Sequence, residues 1–178
     1  MIRKWLQPEG CLDNKNKENE KMVKVGFKMI HPDAKLPVKA HASDAGMDVY
    51  SVEKTMLSPF VPTLVRTGLV PCIPEGYEIQ VRPRSGLALK QGITVLNSPG
   101  TVDSGYRSEI GVILMWMPRS YLRQDDVKFD MGYIIDKGDR IAQFVVAPVL
   151  ECETCEVEDV GTSDRSEAGH NGFGSTGV

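Results

Sequence analysis

Short runs in which apolar and polar residues alternate, each closed by glycine or proline, constrain this chain more than any other feature. Val23, Val25, Phe27 and Met29 alternate with Lys24, Gly26 and Lys28. Tyr77, Ile79 and Val81 alternate in the same way with Glu78, Gln80 and Arg82. A period of two sends successive side chains to opposite faces, so each run predicts a strand with one buried face. Further apolar runs cover Thr63 to Val70, Ile93 to Leu96, Ile110 to Trp116 and Ile141 to Val149. Turn clusters separate them: Ser58-Pro59, Ile73-Pro74-Glu75-Gly76, Ser98-Pro99-Gly100 and Asp136-Lys137-Gly138-Asp139. No window carries a long amphipathic helix, and Gly86 to Lys90 has room for a single turn. The expectation is an all-β sandwich or barrel.

The chain has 178 residues, enough for one domain with a real core. Its ends differ from its middle. Residues 1–22 include the polar run Asp13 to Lys21, which has no apolar face at either period and reads as a solvated leader without fixed structure. Residues 23–160 form the β domain, and 161–178 a glycine- and serine-rich tail whose only large apolar residue before the terminal valine is Phe173. A formal net charge of −3 argues against a nucleic-acid partner. No run approaches the roughly 20 apolar residues of a membrane span, and polar residues follow Trp5-Leu6 at once, so neither membrane nor secretion is expected. Cys11, Cys72, Cys152 and Cys155 then read as cytosolic thiols. Cys152-x-x-Cys155 is half of a zinc motif, but no second ligand pair accompanies it, and His31, His41 and His170 stand singly.

Chemistry concentrates in four segments that flank strands as turns. They are Ala42-Ser43-Asp44-Ala45-Gly46-Met47-Asp48-Val49, Pro83-Arg84-Ser85-Gly86-Leu87-Ala88, the stretch Asn97 to Arg107, and Gly138-Asp139-Arg140-Ile141-Ala142-Gln143. Each alone is an ordinary polar turn. Together they supply cations and hydroxyls for phosphate oxygens and carboxylates for water or metal, which is the inventory of phosphoryl chemistry. The tail adds Gly172-Phe173-Gly174-Ser175-Thr176-Gly177, where glycines around hydroxyls can turn backbone N–H groups toward an anion.

In this order, the five segments resemble the five motifs of the trimeric deoxyuridine triphosphatases (dUTPases), from Val23 to Val178. The resemblance implies a jelly-roll-like homotrimer with three active sites that hydrolyses dUTP to dUMP and pyrophosphate with Mg2+. That activity would keep uracil out of DNA and supply dUMP for dTMP synthesis.

Residue by residue, Asp103 matches the carboxylate that activates the attacking water, Asn97 the amide that reads the uracil edge with backbone groups around Gly100, and Tyr106 the ring that packs on deoxyribose and excludes a 2′-hydroxyl. Arg84, Ser85 and Gly86 match the group that holds the phosphate chain, and Gln143 a further phosphate contact. Asp48 and Arg140 match a linked pair in structural support. Phe173 matches the aromatic that stacks on uracil, with Gly174 beside it and Ser175 and Thr176 at the γ-phosphate. The resemblance implies magnesium held by triphosphate and water, without a direct protein ligand.

Two departures stand out. The family arginine stands five residues before that Phe, where this chain has Ala168, so Arg165, eight before, is assigned its role by way of an insertion. Met117 to Ile135 exceeds the usual connection and reads as a surface excursion.

Two alternatives stay open at this level. A dCTP deaminase shares the fold and needs a carboxylate beside the exocyclic amine, for which Glu109 is the candidate after Tyr106. A nucleotide-binding regulator would keep the fold and act through a protein partner, bound at the leader or at the 117–135 excursion.

Overall fold

Alternation resolves into eleven strands and one short helix in the computed structural model, which describes residues 22–118 and 132–161. In chain order, β1 is Gly26–Met29, β2 Gly46–Tyr50, β3 Thr55–Leu57, β4 Thr63–Arg66, β5 Leu69–Cys72 and β6 Tyr77–Arg82. Helix α1, Ser85–Gln91, follows, then β7 Ile93–Val95, β8 Gly100–Val102, β9 Gly111–Trp116, β10 Tyr133–Ile135 and β11 Arg140–Pro148. The four-stranded sheet has the order β2-β11-β6-β8, and the three-stranded sheet β4-β9-β7. Two smaller ladders join β1 to β5 and β3 to β10. Every ladder between these strands is antiparallel, and the fold is all-β and jelly-roll-like, as expected.

The two larger sheets bury their inner faces in one core. Val112, Leu114 and Trp116 of β9 point inward and alternate with less buried Gly111, Ile113 and Met115. From the other sheet come Val49, Ile79, Val81, Val102, Ile141 and Phe144, and the Phe144 ring stacks on Phe27 at 6.1 Å between centroids. Each such buried side chain contributes about 1.5–3 kcal/mol relative to exposure, so the period-two pattern determines which face turns inward.

Several sequence expectations need correction. The run Thr63 to Val70 breaks into β4 and β5 because Gly68 takes φ +68°, where an added Cβ would also lie 2.8 Å from His31 Cβ. The first and third chemical segments are not only turns: Gly46–Tyr50 and Gly100–Val102 are strands inside the four-stranded sheet. Helix α1 has seven residues, more than one turn. The surface excursion does not extend to residue 135, since Tyr133–Ile135 pairs with β3, Ile135 is buried, and the Tyr133 ring packs on Trp116 at 6.0 Å. Residues 119–131, the leader before Met22, and the tail after Gly161 lie outside the described residues.

Candidate functional site

Two recesses gather the chemistry-bearing side chains. In the first, Asp48 of β2 lies opposite Gln143 of β11, and Gln143 lies opposite Arg82 at the end of β6. The sheet therefore brings three segments far apart in sequence to one place. Arg84 Nε donates to Asp48 Oδ1 at 2.8 Å, and Arg140 Nη1 donates to Oδ2 at 3.1 Å. Arg84 Nη1 also donates to the Arg140 carbonyl at 3.2 Å. Gln143 Nε2 donates to the Pro83 carbonyl at 2.9 Å, which ties β11 to the turn that carries Arg84. One carboxylate between two guanidiniums leaves this three-residue cluster net positive, and the Asp44 carboxylate on the adjoining recess offsets that charge. Beside the cluster opens a recess of about 320 Å³, lined by Ala40, Asp44, Ala45, Gly46, Asp48 and Gln143. Asp44 fixes its rim by accepting from the His41 N–H at 2.8 Å.

The second recess is smaller, about 120 Å³, and is lined by Asn97, Gly100 and Tyr106 with Val81, Val102 and Ile110 among its walls. Gly100 is buried in β8, opposite Val81 of β6. A Cβ on Gly100 would lie 3.0 Å from Asn97 Nδ2, so glycine there lets the amide fold closely over the strand. Tyr106 is held at both ends: its N–H donates to the Asp103 carbonyl at 3.0 Å and its hydroxyl to the Glu109 carbonyl at 2.9 Å. Asp103 directly follows β8 and is exposed. Among the described residues its carboxylate takes part in none of the hydrogen bonds or ion pairs, which leaves it available to water. An apolar floor, an amide at one edge and a ring as wall can hold a planar polar heterocycle with a small substituent. The two recesses have no lining residue in common.

The family model for dUTPase matches residues 32–177. The chain belongs to the dUTPase family. Curated dUTPase relatives include the deoxyuridine 5'-triphosphate nucleotidohydrolase of Hydrogenobaculum sp., 45% identical over 157 residues that cover 88% of this chain and 99% of that one. The enzyme of the same name from Clostridium novyi is 48% identical over 143 residues, 80% of this chain and 91% of its own. Among solved structures, the dUTPase of Staphylococcus bacteriophage 80alpha bound to dUPNHPP superposes with a TM-score of 0.70 at 27% identity, covering 87% of this chain and 99% of that one. A mutant dUTPase of phage phi11 of S. aureus, whose structure describes the coordination of a structural Mg(II) ion, gives 0.66 at 26% identity over 77% and 98%.

Against the dUTPase motifs, the structure gathers Arg84 and Arg140 on Asp48, places Asp48 and Gln143 on the recess beside them, and brings Asn97, Gly100 and Tyr106 together in the other. Asp103 stands on the turn that closes the second. Ser85 and Gly86 are exposed and open α1, where first-turn N–H groups have no partner within the helix. Arg165, Phe173, Gly174, Ser175 and Thr176 lie outside the described residues. Asp48 binds Arg140 at 3.1 Å and Arg84 at 2.8 Å, so Arg84 belongs to the supporting cluster.

Asp44, Gly46 and the Pro83 carbonyl were not singled out as site groups by sequence. Asp44 and Gly46 lay in plain view inside the first motif, whereas a main-chain acceptor leaves no mark on composition. Glu109 is committed elsewhere: its carboxylate binds Arg66 at 3.0 Å and accepts from the Gly68 N–H at 2.7 Å. That hydrogen bond, followed by charge attraction, pushes the Arg66 guanidinium above its ordinary value. A carboxylate so engaged is poorly suited to the proton transfers of a deaminase.

Proposed function

We propose that this chain hydrolyses dUTP to dUMP and pyrophosphate, with water attacking the α-phosphorus. The observation that carries the reading is the division of labour between the Arg84 and Arg140 guanidiniums gathered on Asp48, with Gln143 on the recess beside them, and a half-apolar recess at Asn97, Gly100 and Tyr106. A nucleoside triphosphate has those same two ends. In this reading Asn97 pairs with uracil, Tyr106 packs on deoxyribose, and Arg84, Ser85, Gly86 and Gln143 take the phosphate chain. Asp103 accepts a proton from the water as its oxygen bonds to the α-phosphorus, the bond to the bridging oxygen breaks, and pyrophosphate leaves on the cationic side.

As the dUTPase resemblance implies, a complete site would draw on neighbouring copies in a homotrimer. Exposed Leu64 and Leu96 flank the outer side of the β4-β9-β7 sheet and supply apolar area for such contacts. The tail from 161–178 would close the site with Phe173 on uracil and Arg165, Gly174, Ser175 and Thr176 at the phosphates, while 1–22 is a leader to the domain at 23–160. Among the described residues no group of three or more His, Cys, Asp or Glu converges to hold a metal ion. In this reading the phosphate oxygens and water would be the ligands of Mg2+, which shields the triphosphate charge when bound. No helix among the described residues is long and apolar enough to cross a membrane, and the reading places the enzyme in the cytoplasm with dUTP as its partner and no nucleic acid.

Offering all common nucleoside triphosphates and assaying pyrophosphate tests the proposal. Turnover confined to dUTP is expected. Ammonia from dCTP would favour the deaminase, and tight dUTP binding without turnover would favour a regulator.

A further inference from the structure

We propose that Glu109 is a positioning residue that sets how strictly the second recess tells deoxyribose from ribose, by clamping the backbone on which the Tyr106 hydroxyl rests. The inference rests on the dUTP reading of that recess.

Glu109 is engaged from both its side chain and its main chain. Its Oε1 accepts from the Gly68 N–H at 2.7 Å, and its Oε2 from Arg66 Nε at 3.1 Å with Arg66 Nη2 at 3.0 Å. Its main-chain carbonyl accepts the Tyr106 hydroxyl at 2.9 Å. The next residue is gripped by the same turn: Ile110 N–H donates to the Leu69 carbonyl at 2.8 Å, and the buried Thr67 hydroxyl donates to the Ile110 carbonyl at 2.6 Å. Residues 66–69 therefore hold 109–110 through side-chain and main-chain bonds, and the 103–110 loop between β8 and β9 hangs from that attachment.

Tyr106 spans the loop. Its amide is fixed on Asp103 and its hydroxyl on Glu109, so the ring's position follows the separation of those two residues. A wall that rejects a 2′-hydroxyl by collision works only while it cannot retreat by the size of one oxygen. Among the described residues the hydrogen bond to Glu109 is what holds the outer end of the ring, and the other lining residues are Val81, Asn97, Gly100, Thr101, Val102, Ile110 and Gly111. The carboxylate is only 20% exposed and its acceptor bond goes to a buried glycine amide, which sets it apart from a solvated surface ion pair. Protonated Arg66 completes the clamp, favoured by the same hydrogen bond that fixes Glu109.

The test compares dUTP and UTP as substrates of the full-length chain in wild type, Glu109→Ala, Glu109→Gln, Tyr106→Phe and the Glu109→Ala/Tyr106→Phe double variant, with urea melts of each. Glu109→Ala and Tyr106→Phe are each expected to raise the UTP-to-dUTP ratio of kcat/KM by about tenfold. The double variant should rise no further than the larger single change, because both substitutions break one tether. Glu109→Gln keeps an acceptor for the Gly68 N–H and should restore most of the discrimination. A purely structural Glu109 would lower stability and depress both nucleotides in parallel at an unchanged ratio, and that result overturns the proposal. Should Glu109→Ala fail to fold, Arg66→Met, which removes the guanidinium from the same carboxylate, takes its place: a ratio raised in the direction of Tyr106→Phe supports the clamp, and an unchanged ratio overturns it. Wild type that turns over dUTP selectively, with no variant altering the ratio, defeats the clamp alone. Wild type without dUTP turnover defeats the dUTP reading beneath it.

Discussion

Asp48 accepts a 2.8 Å hydrogen bond from Arg84 across 36 positions of sequence, with the two side chains only 18% and 24% exposed. The contact joins an inner residue of β2 to the turn after β6 and thereby fixes the cationic rim of the first recess. Charge-assisted and partly desolvated, it belongs to the stronger class of hydrogen bonds, whereas the Arg140 contact on the same carboxylate involves a half-exposed guanidinium.

Replacing Asp48 with Asn keeps the volume and one acceptor but removes the charge that orients Arg84. A stability loss of about 1–3 kcal/mol is expected in urea melts. KM for dUTP should rise several-fold, with a smaller effect on kcat, because the anchoring of the phosphate chain is what loosens. Unchanged stability and KM would show that Arg84 finds its position without Asp48.

Asp103→Asn tests the base directly. The amide matches the carboxylate in size and is a poor proton acceptor. A fall of roughly 10²-fold or more in kcat is expected, with the dUTP dissociation constant nearly unchanged in calorimetry. Near-normal turnover would remove Asp103 from the mechanism.

Much of this site is legible without coordinates, and what is hidden has a common cause. Long alternating runs such as Tyr77 to Arg82 declare their strand because six residues show the period three times over. Three-residue strands such as β3, β8 and β10 are too short to show any period. Asp48 and Gly100 are conspicuous as chemistry, which obscures that they are also strand residues. The motif residues themselves are readable because their types and order are specific. Arg84 to Asp48 and Arg66 to Glu109 are not, since those pairings depend on which turns the sheets bring together and leave no periodic trace in the sequence.

Tyr133 gives the alkaline limb of stability a traceable origin. Burial pushes its phenol above the ordinary value near 10, and Asp139 and Asp136 add to the shift. The folded chain thus holds this proton more tightly than the unfolded chain. The corresponding stability is intact below pH 10 and declines as pH rises through the folded value. Ultraviolet titration of wild type and Tyr133→Phe should differ by one late-ionising phenol, and the substitution should flatten the alkaline fall in stability. A late step that persists in the variant would assign it to another tyrosine.

Shared sites can be tested by mixing chains. Asp103→Asn with an intact tail, and a chain ending at Gly161 with intact Asp103, should each be nearly inactive alone. Co-refolded at equal amounts, about three-quarters of trimers are mixed and each mixed ring holds one complete site, so about one quarter of all sites should recover. Mixed trimers seen by native mass spectrometry with activity no greater than the sum of the parents would mean that the Asp103 loop and the tail act within one chain.

The most direct test of the account is hydrolysis of dUTP in 18O-labelled water, with the products analysed by mass spectrometry. Attack at the α-phosphorus predicts one labelled oxygen in dUMP and none in pyrophosphate. Label in pyrophosphate, or release of orthophosphate as the first product, would contradict it.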